Sequence, residues 1–136
     1  MSRNVLGGFA VVVAAAALWA ANACSGNEPP VPLALYAGEW NEDDARLDGT
    51  FVQEGPCLYV ESSIAGSPGR WLVVFGVEGT SWDEDERAVS IPGAKYRVRD
   101  EVRIGGSGSG FPTGSIEWVV PPADSCDTRM IWMAAR

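Results

Sequence analysis

The sequence predicts an all-β domain, a small barrel or sandwich of about seven short strands. Three observations predict it. Apolar and polar residues alternate at period two in run after run. Turns containing Gly or Pro separate the runs at short intervals. After the first few dozen residues, no segment carries apolar residues at helical spacing.

Taken in order, the first strand is Arg46–Gln53, with Leu47, Gly49 and Phe51 on one face and Arg46, Asp48, Thr50 and Val52 on the other. Gly55-Pro56 turns the chain into Cys57–Ser62. A turn region over Ile64–Arg70 leads into Trp71–Phe75, whose unbroken apolar run fits a strand covered on both faces. Gly76–Arg87 is expected to be a loop carrying Trp82-Asp83-Glu84-Asp85-Glu86. Ala88–Ile91 is a short strand, Pro92-Gly93 a turn, and Tyr96–Ile104 a strand kinked near Asp100. Gly105–Gly114 is expected to be a flexible loop. Ser115–Val120 returns as a strand with Ile116 and Trp118 inward, Pro121–Asp127 turns, and Arg129–Ala134 closes the domain.

Three segments are expected: 1–23 a signal peptide, 24–44 a lipidated N-terminus and Pro-rich tether, and 45–136 the β domain. The first 23 residues hold one base, Arg3, then an apolar run and small residues, which is the layout of a secretory leader. Ala21-Asn22-Ala23 fits a general signal peptidase. Followed by Cys24, the small residues also resemble a bacterial lipobox, in which the Cys thiol is acylated. Ala21 stands where that pattern usually has Leu, and Asn22 is unusual in it. An uncleaved span is the third reading, at the lower limit of length for crossing a bilayer. Residues 25–32, SGNEPPVP, have the composition of an extended tether. Leu33, Leu35, Tyr36 and Trp40 then dock it on the domain or form a short helix.

The chain has three cysteines. In an oxidising compartment Cys57 and Cys126 can pair, which leaves Cys24 for lipidation. Such a bridge closes a loop of about 70 residues and contributes ~4 kcal/mol in the chain-entropy account. Removing the leader takes Arg3 from ten basic residues and none of the eighteen acidic ones, leaving a net charge of −9. Nucleic acid and anionic lipid surfaces demand clustered Lys and Arg, so neither is an expected partner.

The chain contains no histidine. That removes Ser-His and Cys-His nucleophilic systems and every His-based metal site. Lys95, the sole lysine, has no serine placed beside it by any motif. Gly105–Gly114 lacks the third glycine of a dinucleotide fingerprint, where Phe111 stands, and the Lys-Ser/Thr of a P-loop. Asp83–Glu86 lacks the ligand spacing of an EF-hand. Glu54 and Glu61 are the pair that a hairpin could bring together for glycosidase chemistry. No cofactor and no metal are expected.

Gly55-Pro56-Cys57-Leu58, the hairpin from Gly93 to Gly106 ending Asp100-Glu101-Val102-Arg103-Ile104-Gly105-Gly106, and Pro122 followed by Cys126 occur in that order. The pattern resembles small secreted bacterial proteins and lipoproteins of uncharacterised function. It covers roughly residues 47–126. Arg99 departs from it, standing where that pattern usually has Gly. The resemblance implies a compact OB-like barrel of five to seven short antiparallel strands with one disulfide, and carries over no catalytic residue. The functional expectation is a non-enzymatic binding or structural module, extracytoplasmic and held at the membrane by its N-terminal lipid. Trp82, Asp83, Asp85 and Phe111 are its candidate contacts with a protein or small ligand. The alternative is a secreted inhibitor of an envelope hydrolase such as a lysozyme or protease.

Overall fold

The computed structural model describes residues 31–38, 45–63, 68–109 and 113–135. They form β1 (Leu35–Tyr36), β2 (Arg46–Glu54), β3 (Cys57–Ser62), β4 (Gly69–Gly76), β5 (Ser81–Asp83), β6 (Ala88–Ile91), β7 (Ala94–Arg97), β8 (Glu101–Ser109), β9 (Trp118–Val120) and β10 (Ile131–Ala134). A 3-10 turn lies at Thr113–Ser115.

Five strands close a barrel. β2, β3 and β4 form an antiparallel meander. β8 pairs with the other side of β2. β10 pairs antiparallel with β8 and parallel with β4, so the ring β2-β3-β4-β10-β8 has no free edge. This is the five-stranded Greek-key closure of an OB-type barrel, and it bears out the expected fold class. Glu54 and Cys57 face each other across Gly55-Pro56, where Gly55 takes a φ of +57°. Glycine supplies that left-handed position at no steric cost.

The alternation in β2 buries Leu47 and Phe51 in the barrel. In β3 and β4 it works twice over. Leu58, Val60, Val73 and Phe75 fill the barrel interior. Cys57, Tyr59, Leu72 and Val74, on the opposite face, are buried in a second core outside it. Ala34 and Tyr36 from β1 and its approach, Cys126 and Ile131 complete that outer core, with Ile116 and Trp118 packed against it. The Cys57–Cys126 disulfide, with Cα atoms 5.6 Å apart, lies in this outer core.

Several boundaries differ from the sequence reading. The expected loop Gly76–Arg87 contains β5, which pairs with β6 to start a separate three-stranded sheet, β5-β6-β7. The expected kinked strand Tyr96–Ile104 is two strands, β7 and β8, divided by a turn in which Arg99 has a φ of +80°. The expected loop Gly105–Gly114 is strand up to Ser109. Its glycines are there for space: a Cβ on Gly106 would lie 2.1 Å from the Met133 carbonyl oxygen, and one on Gly108 2.6 Å from Trp71 and 2.7 Å from Trp132. The expected strand Ser115–Val120 shortens to β9 after the 3-10 turn. Leu35–Tyr36, within the expected 24–44 segment, docks as a strand between β4 and β9 rather than as a short helix.

Candidate functional site

The β5-β6-β7 sheet lies against the barrel. Val89 and Ile91 are buried in the interior core, and Trp82, Ala94, Tyr96 and Val98 pack on it. Pro92 and Gly93 turn β6 into β7, with Gly93 at a φ of +85°, the residue order and sign of a type II turn. Trp82 is therefore half-buried, and its indole Nε1–H donates to Glu84 Oε2 at 2.6 Å. The Asp83 carboxylate accepts the Glu86 backbone N–H at 3.0 Å, closing the turn from β5 to β6. Asp85 is exposed at that turn. Glu86 pairs with Lys95 and with Arg97. Trp82, Asp83 and Asp85 thus share one hairpin, with one flank of Trp82 committed to packing. Phe111, Trp40 and Cys24 lie outside the described residues.

Glu54 and Glu61 do not form a carboxylate pair. The hairpin register places Glu61 opposite Thr50 and Glu54 opposite Cys57. Glu54 is instead paired with Arg70, whose guanidinium carbon lies 3.6 Å from the centre of the Tyr59 ring. The Tyr59 hydroxyl accepts the Asp127 N–H at 2.9 Å, next to the disulfide. The Asp127 carboxyl is held down at about 2 by hydrogen bonds from the Arg129 side chain and backbone.

An open groove of about 430 Å³ crosses the barrel wall at Asp48, Thr50, Glu61, Glu101 and Arg103. Its polar groups are largely engaged with one another. Arg103 Nε donates to Asp48 at 2.7 Å, and the Thr50 hydroxyl to Glu101 at 2.8 Å. Among the described residues, no group of three or more acids and cysteines is arranged to hold a metal ion.

No protein-family model matches the chain, and neither does any curated protein or solved structure.

The surface that sequence reasoning missed lies on the other side of β3 and β4, at the outer core. The exposed large apolar residues among those described are Val31, Val119 and Val120, at 60, 50 and 41 % exposure. Val31 and Val120 line one apolar crevice of about 130 Å³ with Pro121, Pro122 and the disulfide. A second cleft, around Trp118 and Asp124, shares Pro121 and Pro122 with it. The crevice at this edge is lined mainly by apolar side chains, and the neighbouring cleft adds Asp124 and Thr128. The signal was present in the sequence as Trp118-Val119-Val120-Pro121-Pro122, but strand alternation assigned only one face of it to solvent.

OB-type barrels commonly bind ligands across the outer face of their second and third strands. Here those strands are β3 and β4, and their outer face is the outer core. The chain's own β1, the segment holding Cys126, and Arg70 on Tyr59 cover it. That common ligand face is occupied from within the molecule.

Proposed function

We propose that this protein is a lipid-anchored, extracytoplasmic module of a bacterial envelope that works by contact rather than by catalysis. The observation that carries the reading is the pairing of Cys57 with Cys126. A disulfide fits an oxidising compartment, and the pairing leaves Cys24, directly after a leader-like segment, as the remaining thiol of three. A filled barrel interior and shallow, self-paired surface grooves support a contact role. The test is the intact mass of the protein from the membrane fraction, with and without reductant. A chain beginning at Cys24 and carrying acyl chains is the expected result. A mature chain without acyl mass would overturn the anchor.

The second reading, an inhibitor of an envelope hydrolase, is favoured by the exposed acidic turn that follows Trp82. A cleft-inserting element of this kind predicts dose-dependent inhibition of one enzyme in a panel of lysozymes and proteases, lost in Trp82→Ala.

A further inference from the structure

Six residues lie between Cys24 and Val31, the first described position, so the chain makes seven Cα-to-Cα steps. At full extension they reach about 25 Å. A folded unit of about 105 residues has a radius of gyration of ~13 Å and is more than ~30 Å across. An acyl group on Cys24 therefore holds the side of the domain that bears Val31 against the bilayer and keeps the opposite side from reaching it.

Val120, exposed like Val31, lies on that side, and its neighbour on β9, Val119, is exposed as well. Val31 and Val120 share the crevice beside Pro121 and Pro122. β9 is the last strand of its sheet. A bare edge invites another strand, but this one spans three residues and runs straight into two prolines, which have no N–H to offer a ladder. Main-chain pairing with a second copy is blunted, whereas the apolar side chains stay available. A bilayer interface accepts such side chains without any backbone pairing.

We propose that the edge formed by Val31, Val119, Val120 and the Pro121-Pro122 step is the surface with which the domain rests on the bilayer, a proposal that depends on acylation of Cys24. Glu117 and Asp124 are exposed beside this edge, and the mature chain is acidic. Contact is therefore strongest on electroneutral headgroups and weaker on anionic ones, where added salt restores it. Docking fixes which surfaces face away from the membrane, and the β5-β6 hairpin with Trp82 belongs to the separate sheet.

The full, acylated chain reconstituted in phosphatidylcholine vesicles tests this. A nitroxide is placed at Val119→Cys, in a second preparation at Val31→Cys, and as reference at Lys95→Cys in β7. The native thiols are bridged or acylated, so each label is unique. The expected result is at least a fivefold lower collision rate with an aqueous nickel chelate at Val119 and Val31 than at Lys95. That difference persists after a twenty-residue Gly-Ser insertion behind Glu28, because the edge itself binds. Equal nickel access at all three sites, on a chain whose mass shows the acyl groups, overturns the docking and leaves the anchor standing. Label–label broadening at Val119 that persists as the vesicles are diluted with lipid assigns the edge to a second copy and also overturns it. A chain lacking acyl mass removes the anchor, and the docking with it.

Discussion

Two layers cover this barrel, and they are built in opposite ways. The β5-β6-β7 sheet is local. Its strands follow one another within 17 residues, joined by tight turns and an unbroken register from Ser81 to Arg97. It then plugs Val89 and Ile91 into the interior core. The outer layer is assembled from distant pieces. β1 contributes two residues and β9 three, more than 80 residues apart, and their pairing is irregular. Closing so long a separation costs chain entropy, and a ladder this short returns few hydrogen bonds. The outer layer therefore relies on a covalent bridge, whereas the hairpin sheet manages with apolar burial and exposed ion pairs. A layer's need for a staple follows from how non-local it is.

The disulfide gives the largest way to break that contrast. Replacing both cysteines, Cys57→Ala with Cys126→Ala, is expected to cost ~4 kcal/mol in urea unfolding, a large share of a domain's stability. In native-state hydrogen exchange the bridged protein should already protect β6 longer than β1 and β9. Loss of the bridge should widen that gap. If β6 and β1 lost protection together, the two layers would be one cooperative unit and the contrast would fail.

A matched pair of tyrosines sharpens the contrast at smaller scale. Both are kept protonated to higher pH by burial. The Tyr36 hydroxyl donates to the Ala134 carbonyl at 2.7 Å, tying the outer layer to β10. Tyr96 packs edge-on against Phe51 at 6.4 Å, and its hydroxyl has no hydrogen-bond partner among the described residues. Tyr36→Phe should cost about 1 kcal/mol, because it leaves a buried acceptor without its donor. Tyr96→Phe should change stability by less than about 0.5 kcal/mol. Equal costs in thermal unfolding would count against the idea that the outer layer depends on specific ties.

The exit of the hairpin sheet carries a defect that can be removed. Arg99 is exposed, has a φ of +80°, and donates its N–H to the Phe51 carbonyl at 2.6 Å. A non-glycine residue in that region is strained by roughly 1–2 kcal/mol, part of which glycine returns through its freer unfolded chain. Arg99→Gly should therefore stabilise the protein by up to about 1 kcal/mol, whereas Arg97→Gly within β7 should destabilise it by a similar amount.

Other features were legible to different degrees. β3 and β6 were read to their end residues, because turn residues bound each side and the alternation between is uninterrupted. The shared face of Leu47 and Phe51 followed from period-two alternation, and the two-sided burial of Trp71–Phe75 from its unbroken apolar run, although Trp71 itself stays half-buried. The glycines of β8 misled because composition treats Gly as freedom. Here Gly106 and Gly108 are vacancies matched to the Met133 backbone and to two indoles, whose rings meet edge-on at 5.8 Å. That matching involves residues 24 to 37 positions away, which no local window includes. β5 was missed because its three residues sit among acids, with the pattern resting on Trp82 alone. The exposed apolar edge was missed because exposure depends on where the sheet ends, and strand order is not a local property.

The smallest expected effect tests the electrostatic side of the outer layer. Asp127 follows the bridged Cys126, and its carboxylate accepts from the Arg129 backbone N–H at 3.1 Å and guanidinium at 2.7 Å. Those bonds lower its pKa from 3.8 to about 2. A carboxyl with a depressed folded pKa stabilises the native state fully above its unfolded value and loses that contribution as pH falls through the folded one. The relevant window is thus between about pH 4 and about pH 2. Asp127→Asn keeps an acceptor for the Arg129 N–H and removes only the charge. Its urea midpoint should fall less steeply than the wild type's between pH 4 and pH 2. The difference should shrink in high salt, because the pair is exposed and screened. Parallel acid limbs for the two proteins would show that the segment beside the disulfide is held by the bridge and the Tyr59 hydroxyl alone.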